Sequence, residues 1–386
     1  MKIGILVPSI YATRKYGEGR IFAPLPLAVG LADGLVTLGH DVVFYSDSSV
    51  RTKARLISGD SDLVDHDPYY YQFRYREAAE QKFAAFEILK RDYEYDLTLK
   101  AYKDARDGTL DIIHSYHDFG AHYFHELTKF PTVYTIHDPL PQASTTLEYF
   151  RYHRFSHHNY ISISDSQRQS ILSMNFVATI YHGLDTGDYE VDLHPDNHLI
   201  YFGRVMEDKG ADIAIEVAKI VGIPLHVATS SIRGNQSQEF YDTKITPHID
   251  GTSVVLSGYL AGKEKSDFIK KGKAFILPLR WEEPFGMVMI EAMACGTPVV
   301  AYNRGSAAEI VKDGITGFIV DPDEKGEWRN KGSWVIKKTG IEGLVEAVKR
   351  ICEIDRDACR KRVEEYFTLS RMVKDHETAY KKILQA

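Results

Sequence analysis

Residues 274–302, AFILPLRWEEPFGMVMIEAMACGTPVVAY, admit few folds. The stretch opens on a short apolar run, crosses Glu282-Glu283-Pro284-Phe285-Gly286, continues with helical apolar spacing and breaks at Gly296-Thr297-Pro298 before a second apolar run. That pattern reads as strand, tight loop, helix, strand. Gly296 stands where a helix C′ residue belongs and Pro298 follows it, so the helix stops there and the chain turns back into a sheet. The helix then begins just after Gly286. A helix start that follows a strand carries unpaired backbone N–H groups and the positive end of the helix dipole, which suits a phosphate or a cluster of sugar hydroxyls. Gly286 lets a ligand approach that backbone, with Phe285 and Met287 on either side of it.

Two carboxylates frame this start. Glu283 lies in the loop and Glu291 eight positions on, about 12 Å along the axis if both were helical. A nucleotide joined to a sugar has that span, and carboxylates accept well from vicinal hydroxyls: the hexose for Glu283, a ribose for Glu291. Each glutamate alone reads equally well as a helix cap or a solvated face residue. Val288, Ile290, Ala292 and Ala294 nevertheless make the segment too apolar for Glu291 to stand idle in water, and a half-buried carboxylate needs partners.

A second group of residues supplies the opposite charge. Residues 198–202 (HLIYF) read as a strand followed by Gly203-Arg204, and Lys209-Gly210 starts a helix at 211–221 that stops at Gly222. Two cations converging beside a glycine-rich turn neutralise a diphosphate, and the forked guanidinium of Arg204 suits phosphoryl oxygens. Either cation alone reads as surface charge.

The sequence EPFGMVMIEAMACGTPVVA, with its Glu-x7-Glu spacing, resembles the signature of the retaining glycosyltransferases of family 4, and its WEEPFG form is most similar to the branch related to avilamycin-type sugar transferases. GRVMEDKG at 203–210 matches the same family's Gly-Arg-x4-Lys-Gly motif. The resemblance implies an α/β GT-B fold, two Rossmann-like domains facing each other across a cleft. It further implies hexosyl transfer from a nucleotide-diphosphate sugar, UDP- or GDP-linked, with retention and without a metal or other cofactor. Under it Glu283, Arg204, Lys209 and His137 carry catalysis. His137 closes PTVYTIHD, which resembles the family's strand ending in Thr-x-His. Ser164 lies in SISDS, which resembles a strand ending in Ser-x-Ser. Gly258-Tyr259 falls where the family places the nucleobase, Glu309 where it has an acidic residue, and His182-Gly183-Leu184-Asp185 resembles its Asn-Gly-Leu/Ile-Asp with His for Asn.

The rest of the chain alternates strand and helix. Residues 2–8 (KIGILVP) read as a buried parallel strand, 25–38 as a helix ending at Gly39, and 41–46 as the next strand. The loop 9–24 between them is long, and Gly17 and Gly19 either bring backbone amides to a phosphate or simply permit turns. The family has Gly-Gly and an acidic residue here, whereas this chain has Gly-Glu-Gly-Arg. Residues 77–107 show helical spacing and read as scaffold; Tyr69-Tyr70-Tyr71 before them read as packing or as a stacking platform. Strands at 111–116, 131–136, 160–164 and 176–181, with helices at 121–128, 145–155 and 166–174, complete a first half. His114, His117, Asp118 and His137 stand at strand ends there without a zinc-like spacing, so no metal is expected. Residues 186–197 read as a linker. The domains are therefore expected at 1–190, with 370–386 packing back on it, and at 191–369.

At 386 residues with 44% apolar content the chain can bury two cores. A net charge of −7 argues against a general nucleic-acid surface. Three cysteines without paired spacing suit a reducing cytoplasm, and no apolar run reaches membrane-spanning length, which leaves peripheral membrane contact open. The expected partners are a nucleotide-sugar donor and an acceptor of unspecified kind, a saccharide, a lipid-linked sugar or a small molecule. A nucleotide-sugar epimerase or hydrolase on the same frame, and a non-catalytic nucleotide-sugar binder, are the alternatives.

Overall fold

The computed structural model describes residues 1–17, 22–65, 79–116, 119–141, 145–229, 235–322 and 332–385. The chain divides into two compact units. One comprises Met1–Ile163, Arg168–Ile180 and Met372–Ala386; the other comprises Ser164–Gln167 and Tyr181–Arg371.

The first unit is built on β1 (Lys2–Leu6), β2 (Asp41–Ser46), β3 (Arg55–Ser58), β4 (Ile112–Tyr116), β5 (Thr132–Thr135), β6 (Asn159–Ser162) and β7 (Phe176–Thr179), in the order β3-β2-β1-β4-β5-β6-β7. The second is built on β8 (Leu199–Phe202), β9 (Leu225–Ala228), β10 (Val254–Gly258), β11 (Ala274–Leu277), β12 (Val299–Tyr302) and β13 (Gly317–Val320), in the order β10-β9-β8-β11-β12-β13. All neighbours in both sheets run parallel. Parallel strands are covered on both faces, which is why the central ones read as unbroken apolar runs: Ile3, Ile5, Phe44, Ile112, Ile200 and Ile276 are wholly buried. The strand order reverses between β1 and β4 and again between β8 and β11. In such open sheets, ligands bind outside the carboxyl ends of the strands at that reversal. Both units are thus Rossmann-like α/β domains. Among the described residues no helix is long and apolar enough to cross a membrane.

The helices Pro24–Thr37, Ala79–Arg106, Ala211–Val221 and Met287–Ala294 lie close to where apolar spacing and glycine stops put them. Three expectations change. The helix read at 166–174 is a single turn, Asp165–Arg168, because Ser170, Ser173 and Asn175 favour turns over helix interior. Strands β3 and β13 went unread: β3 opens on exposed Arg55 and is only partly buried, and β13 opens on Gly317, a residue that signals a turn. Finally, residues 186–197 are not a free linker but part of the second unit. Arg360 donates to the carbonyls of Thr186 (3.0 Å) and Tyr189 (2.8 Å), and Lys271 pairs with Asp192 (3.0 Å). The helix Leu369–Gln385 enters the first unit from Met372 on, where Val373 fills the space left by Gly34 and Tyr380 bonds His114 (2.6 Å).

Arg356 ties several segments of the second unit together. At 8% exposure it donates to the carbonyls of Asp192 (2.6 Å), Gly272 (3.0 Å) and Lys270 (2.8 Å) and to the Thr297 hydroxyl (2.9 Å). A buried acceptor left unpaired costs about 1–3 kcal/mol. Arg356→Met is expected to lower the unfolding free energy of this unit by about 3 kcal/mol in urea denaturation. A loss below about 1 kcal/mol would show that these bonds do not hold the unit together.

Candidate functional site

The loops that follow β8, β11 and β12 meet at the reversal point of the second sheet. After β8, Gly203 and Arg204 lead into the 3-10 turn Glu207–Lys209, and Gly210 starts the helix Ala211–Val221 with φ +74°. A Cβ on Gly210 would lie 2.0 Å from the Pro278 carbonyl oxygen, so only glycine lets the two loops approach this closely. Tyr201, wholly buried on β8, closes the turn from below: its hydroxyl hydrogen is shared between the carbonyls of Arg204 (3.3 Å) and Lys209 (3.2 Å).

Arg280 bolts the second loop to the first. Its guanidinium forks onto Asp212 (2.8 and 2.7 Å) and reaches the Glu207 carbonyl (2.5 Å), while its backbone N–H donates to the Asp208 carbonyl (2.8 Å). The loop after β12 props the other side. Glu282 accepts from Arg304 (3.0 Å) and from the Gly305 N–H (2.6 Å), and Ser306 donates to the carbonyls of Glu283 (2.9 Å) and Phe285 (2.6 Å).

Held this way, Lys209 Nζ donates to Glu283 Oε2 at 2.8 Å and lies 3.6 Å from the Trp281 ring centroid, while the Trp281 indole N–H donates to the same Oε2 at 3.0 Å. Burial lowers the Lys209 pKa and the Glu283 carboxylate works against that fall. Glu283 Oε1 has no hydrogen-bond partner among the described residues. Arg204 is exposed and makes no ion pair among them, so it adds a free positive charge beside the Lys209–Glu283 pair. The helix Met287–Ala294 starts at Gly286, whose φ is +81°, and no side chain caps it. Glu291 is 8% exposed within that helix. Lys265 Nζ lies 2.7 and 2.6 Å from its two oxygens, and the Tyr189 hydroxyl donates to Oε1 at 3.4 Å. The carboxylate is partnered, as the apolar surroundings of Glu291 required.

The remaining residues singled out in the sequence fall into several environments. The Phe285 ring is core: it is 2% exposed, with centroids 4.9 Å from His182 and 6.1 Å from Phe367. Met287 is half-buried at the helix start. Gly258 ends β10 with φ +73° and open space around it, and Tyr259 beside it is exposed. Ser164 is buried and accepts from the Gln167 N–H (3.1 Å). Glu309 accepts from the N–H groups of Asp165 (2.8 Å) and Ser166 (2.6 Å) and from Tyr181 (3.0 Å), and burial raises its pKa; it is a cap for the turn Asp165–Arg168. In the first unit the His137 ring stacks on Tyr116 at 5.0 Å, and His114 is buried between Tyr380 and Thr135 (2.8 Å). A Cβ on Gly17 would lie 2.5 Å from the Tyr11 carbonyl oxygen, so its small size serves packing. Gly19, His117, Asp118 and Tyr69-Tyr70-Tyr71 lie outside the described residues.

Trp281, Arg280 and Lys265 went unnoticed in the sequence. Trp281 and Arg280 sit inside the motif and carried a signal in their adjacency to Glu283. Lys265 is one of several lysines on its helix and carried none. The Lys209–Glu283 pair yields a direct expectation. Glu283→Gln removes the one large influence holding the Lys209 pKa up, so that pKa falls further, as read by a side-chain NMR titration of Lys209. An unchanged or raised value would contradict the pairing.

Residues 192–355 match the family described as glycosyl transferases group 1. An uncharacterized glycosyltransferase of Methanocaldococcus jannaschii is 26% identical over 238 residues, 58% of this chain and 64% of that protein. The matched lengths are 46%, 64%, 45% and 34% of four curated relatives, so the chain spans about half the length of such proteins. The structure of a glycosyltransferase involved in avilamycin A biosynthesis superposes with a TM-score of 0.63 at 17% identity, over 100% of this chain and 98% of that one. The Anabaena protein HepE in complex with UDP-glucose superposes with a TM-score of 0.67 at 16% identity, over 99% and 100%. Residues 192–355 are therefore similar to the glycosyl transferases group 1 family, and the chain shares the GT-B fold of two Rossmann-like units with these solved structures.

Proposed function

We propose that this chain is a retaining glycosyltransferase that moves a hexosyl group from a UDP- or GDP-sugar to an acceptor hydroxyl, with no metal in the transfer step. The observation that carries this reading is the meeting of Lys209 and Glu283 at the reversal point of the second sheet, beside exposed Arg204 and an uncapped helix start. Support also comes from the family domain and from the UDP-glucose complex of HepE.

The hard part of the reaction is the charge that grows on the departing diphosphate. Arg204, Lys209 and the amides following Gly286 supply positive charge there, with Lys209 already desolvated and held by Glu283. Glu283 keeps Oε1 for a hexose hydroxyl while Oε2 is held by Lys209 and Trp281. Sugar and leaving group are thereby oriented through one bonded pair, and orientation rather than a covalent nucleophile contributes the rate. Glu291, fixed by Lys265, accepts from the ribose. Gly203, Gly258 and Tyr259 line the nucleotide end by resemblance, and His137 and Ser164 contact the donor by the same resemblance.

Arg204→Ala and Lys209→Ala are each expected to slow transfer at least about a hundredfold, the cost of one lost contact to developing negative charge, with circular dichroism unchanged. Rates within a few-fold of wild type would contradict the assignment. Chelation by EDTA is expected to leave transfer unchanged; loss restored by magnesium or manganese would overturn the metal-free reading. Calorimetry separates the two glutamates. Glu291→Gln should weaken free nucleotide diphosphate and intact donor alike, whereas Glu283→Gln should spare the nucleotide and lower donor turnover, each by about 1.5–3 kcal/mol. Equal loss of nucleotide affinity in both variants would contradict the division.

A further inference from the structure

The first unit carries a cluster of imidazoles that the proposed transfer does not use. The helix Phe119–Thr128 presents His122, His125 and Glu126, and the turn before β6 brings His157 and His158 against it. His157 Nε2 lies 2.7 Å and His158 Nε2 3.0 Å from the same oxygen, Glu126 Oε1. One ligand atom from each of the three residues falls within 4.8 Å of the others. Ligand atoms on a tetrahedral zinc, each about 2.0–2.1 Å from the metal, stand about 3.3 Å apart, so modest side-chain motion suffices to admit an ion.

We propose that Glu126, His157 and His158 bind one divalent transition metal of the zinc class, with His122 orienting the buried ligand. His158 is already held in a ligand-like orientation. Its ring is 3% exposed, its Nδ1 is 2.8 Å from His122 Nδ1, it stacks on Phe155 at 5.4 Å, and the tilted His125 ring lies 4.0 Å away. A metal-ligating histidine is held in this way, with its far nitrogen bonded so that the near lone pair points at the ion. In the metal-bound form Nδ1–H of His158 donates to His122, and Nε2 is free of hydrogen.

Lys129 pairs with Glu126 Oε2 and is exposed enough to swing aside when a dication replaces its charge. His157, 62% exposed, opens the site to solvent. Two imidazoles and one carboxylate favour zinc, cobalt or nickel over the oxygen-loving magnesium and calcium, and three protein ligands leave a position for water.

The test uses the full chain in a Cys352→Ser background, which removes the exposed thiol, stripped with EDTA and then freed of it. Calorimetric titration with zinc chloride is expected to show one equivalent per chain, and cobalt(II) to give a visible absorption band of tetrahedral type. His157→Ala and Glu126→Gln should each weaken zinc at least about tenfold, with circular dichroism unchanged because neither side chain is buried. Zinc bound no more tightly by the Cys352→Ser chain than by its His157→Ala derivative, or no stoichiometric uptake at all, would overturn the proposal.

Discussion

The bond between Lys209 and Glu283 is the interaction on which the second unit's site depends. It joins loops that follow neighbouring strands, β8 and β11, at the place where the sheet reverses its order. An ammonium and a carboxylate withdrawn from water are each costly, and the pair persists because other bonds fix both ends. Tyr201 closes the Lys209 turn, Arg280 ties that turn to the second loop, and Ser306 and Arg304 support the loop from β12. Trp281 adds an indole N–H to the carboxylate and a ring face to the ammonium. The site is thus a small polar network, every member of which belongs to the fold before any ligand arrives.

That preorganisation explains why paired groups are compatible with binding. Lys209 is neutralised in part by Glu283, yet Arg204 remains free among the described residues and the helix start at Gly286 remains uncapped. Under the proposed function, a diphosphate would meet the Arg204 guanidinium and the uncapped helix start. Glu291 follows the same logic one helix deeper: Lys265 makes burial of the carboxylate tolerable and fixes its direction. The imidazole cluster on Glu126 is a separate polar network, built wholly within the first unit.

Much of this was legible in the sequence. The start of the helix Met287–Ala294 and its stop at Gly296 follow from a few glycines and prolines whose backbone requirements are local. Arg204, Lys209 and Glu283 stood out as charged groups beside helix starts, and Glu291 as a carboxylate inside an apolar helix. What the sequence withheld depends on distant partners. Phe285 looked like a ligand contact beside Gly286, but His182 and Phe367 draw its ring into the core. Glu309 looked like a ligand or a helix-face charge, and the N–H groups of Asp165 and Ser166 make it a cap. Lys265 gains its role only because its helix lies against Glu291. Local chemistry is written locally; burial and pairing are decided across the fold.

The most direct measurement of the central claim is a crystal structure of the chain with an intact nucleotide-sugar, chosen by thermal shift across UDP- and GDP-sugars. The account predicts the β-phosphate within hydrogen-bond reach of Lys209 and Arg204, a hexose hydroxyl on Glu283 and the ribose on Glu291. A donor bound away from these four side chains, with the Lys209–Glu283 pair left untouched, would contradict it.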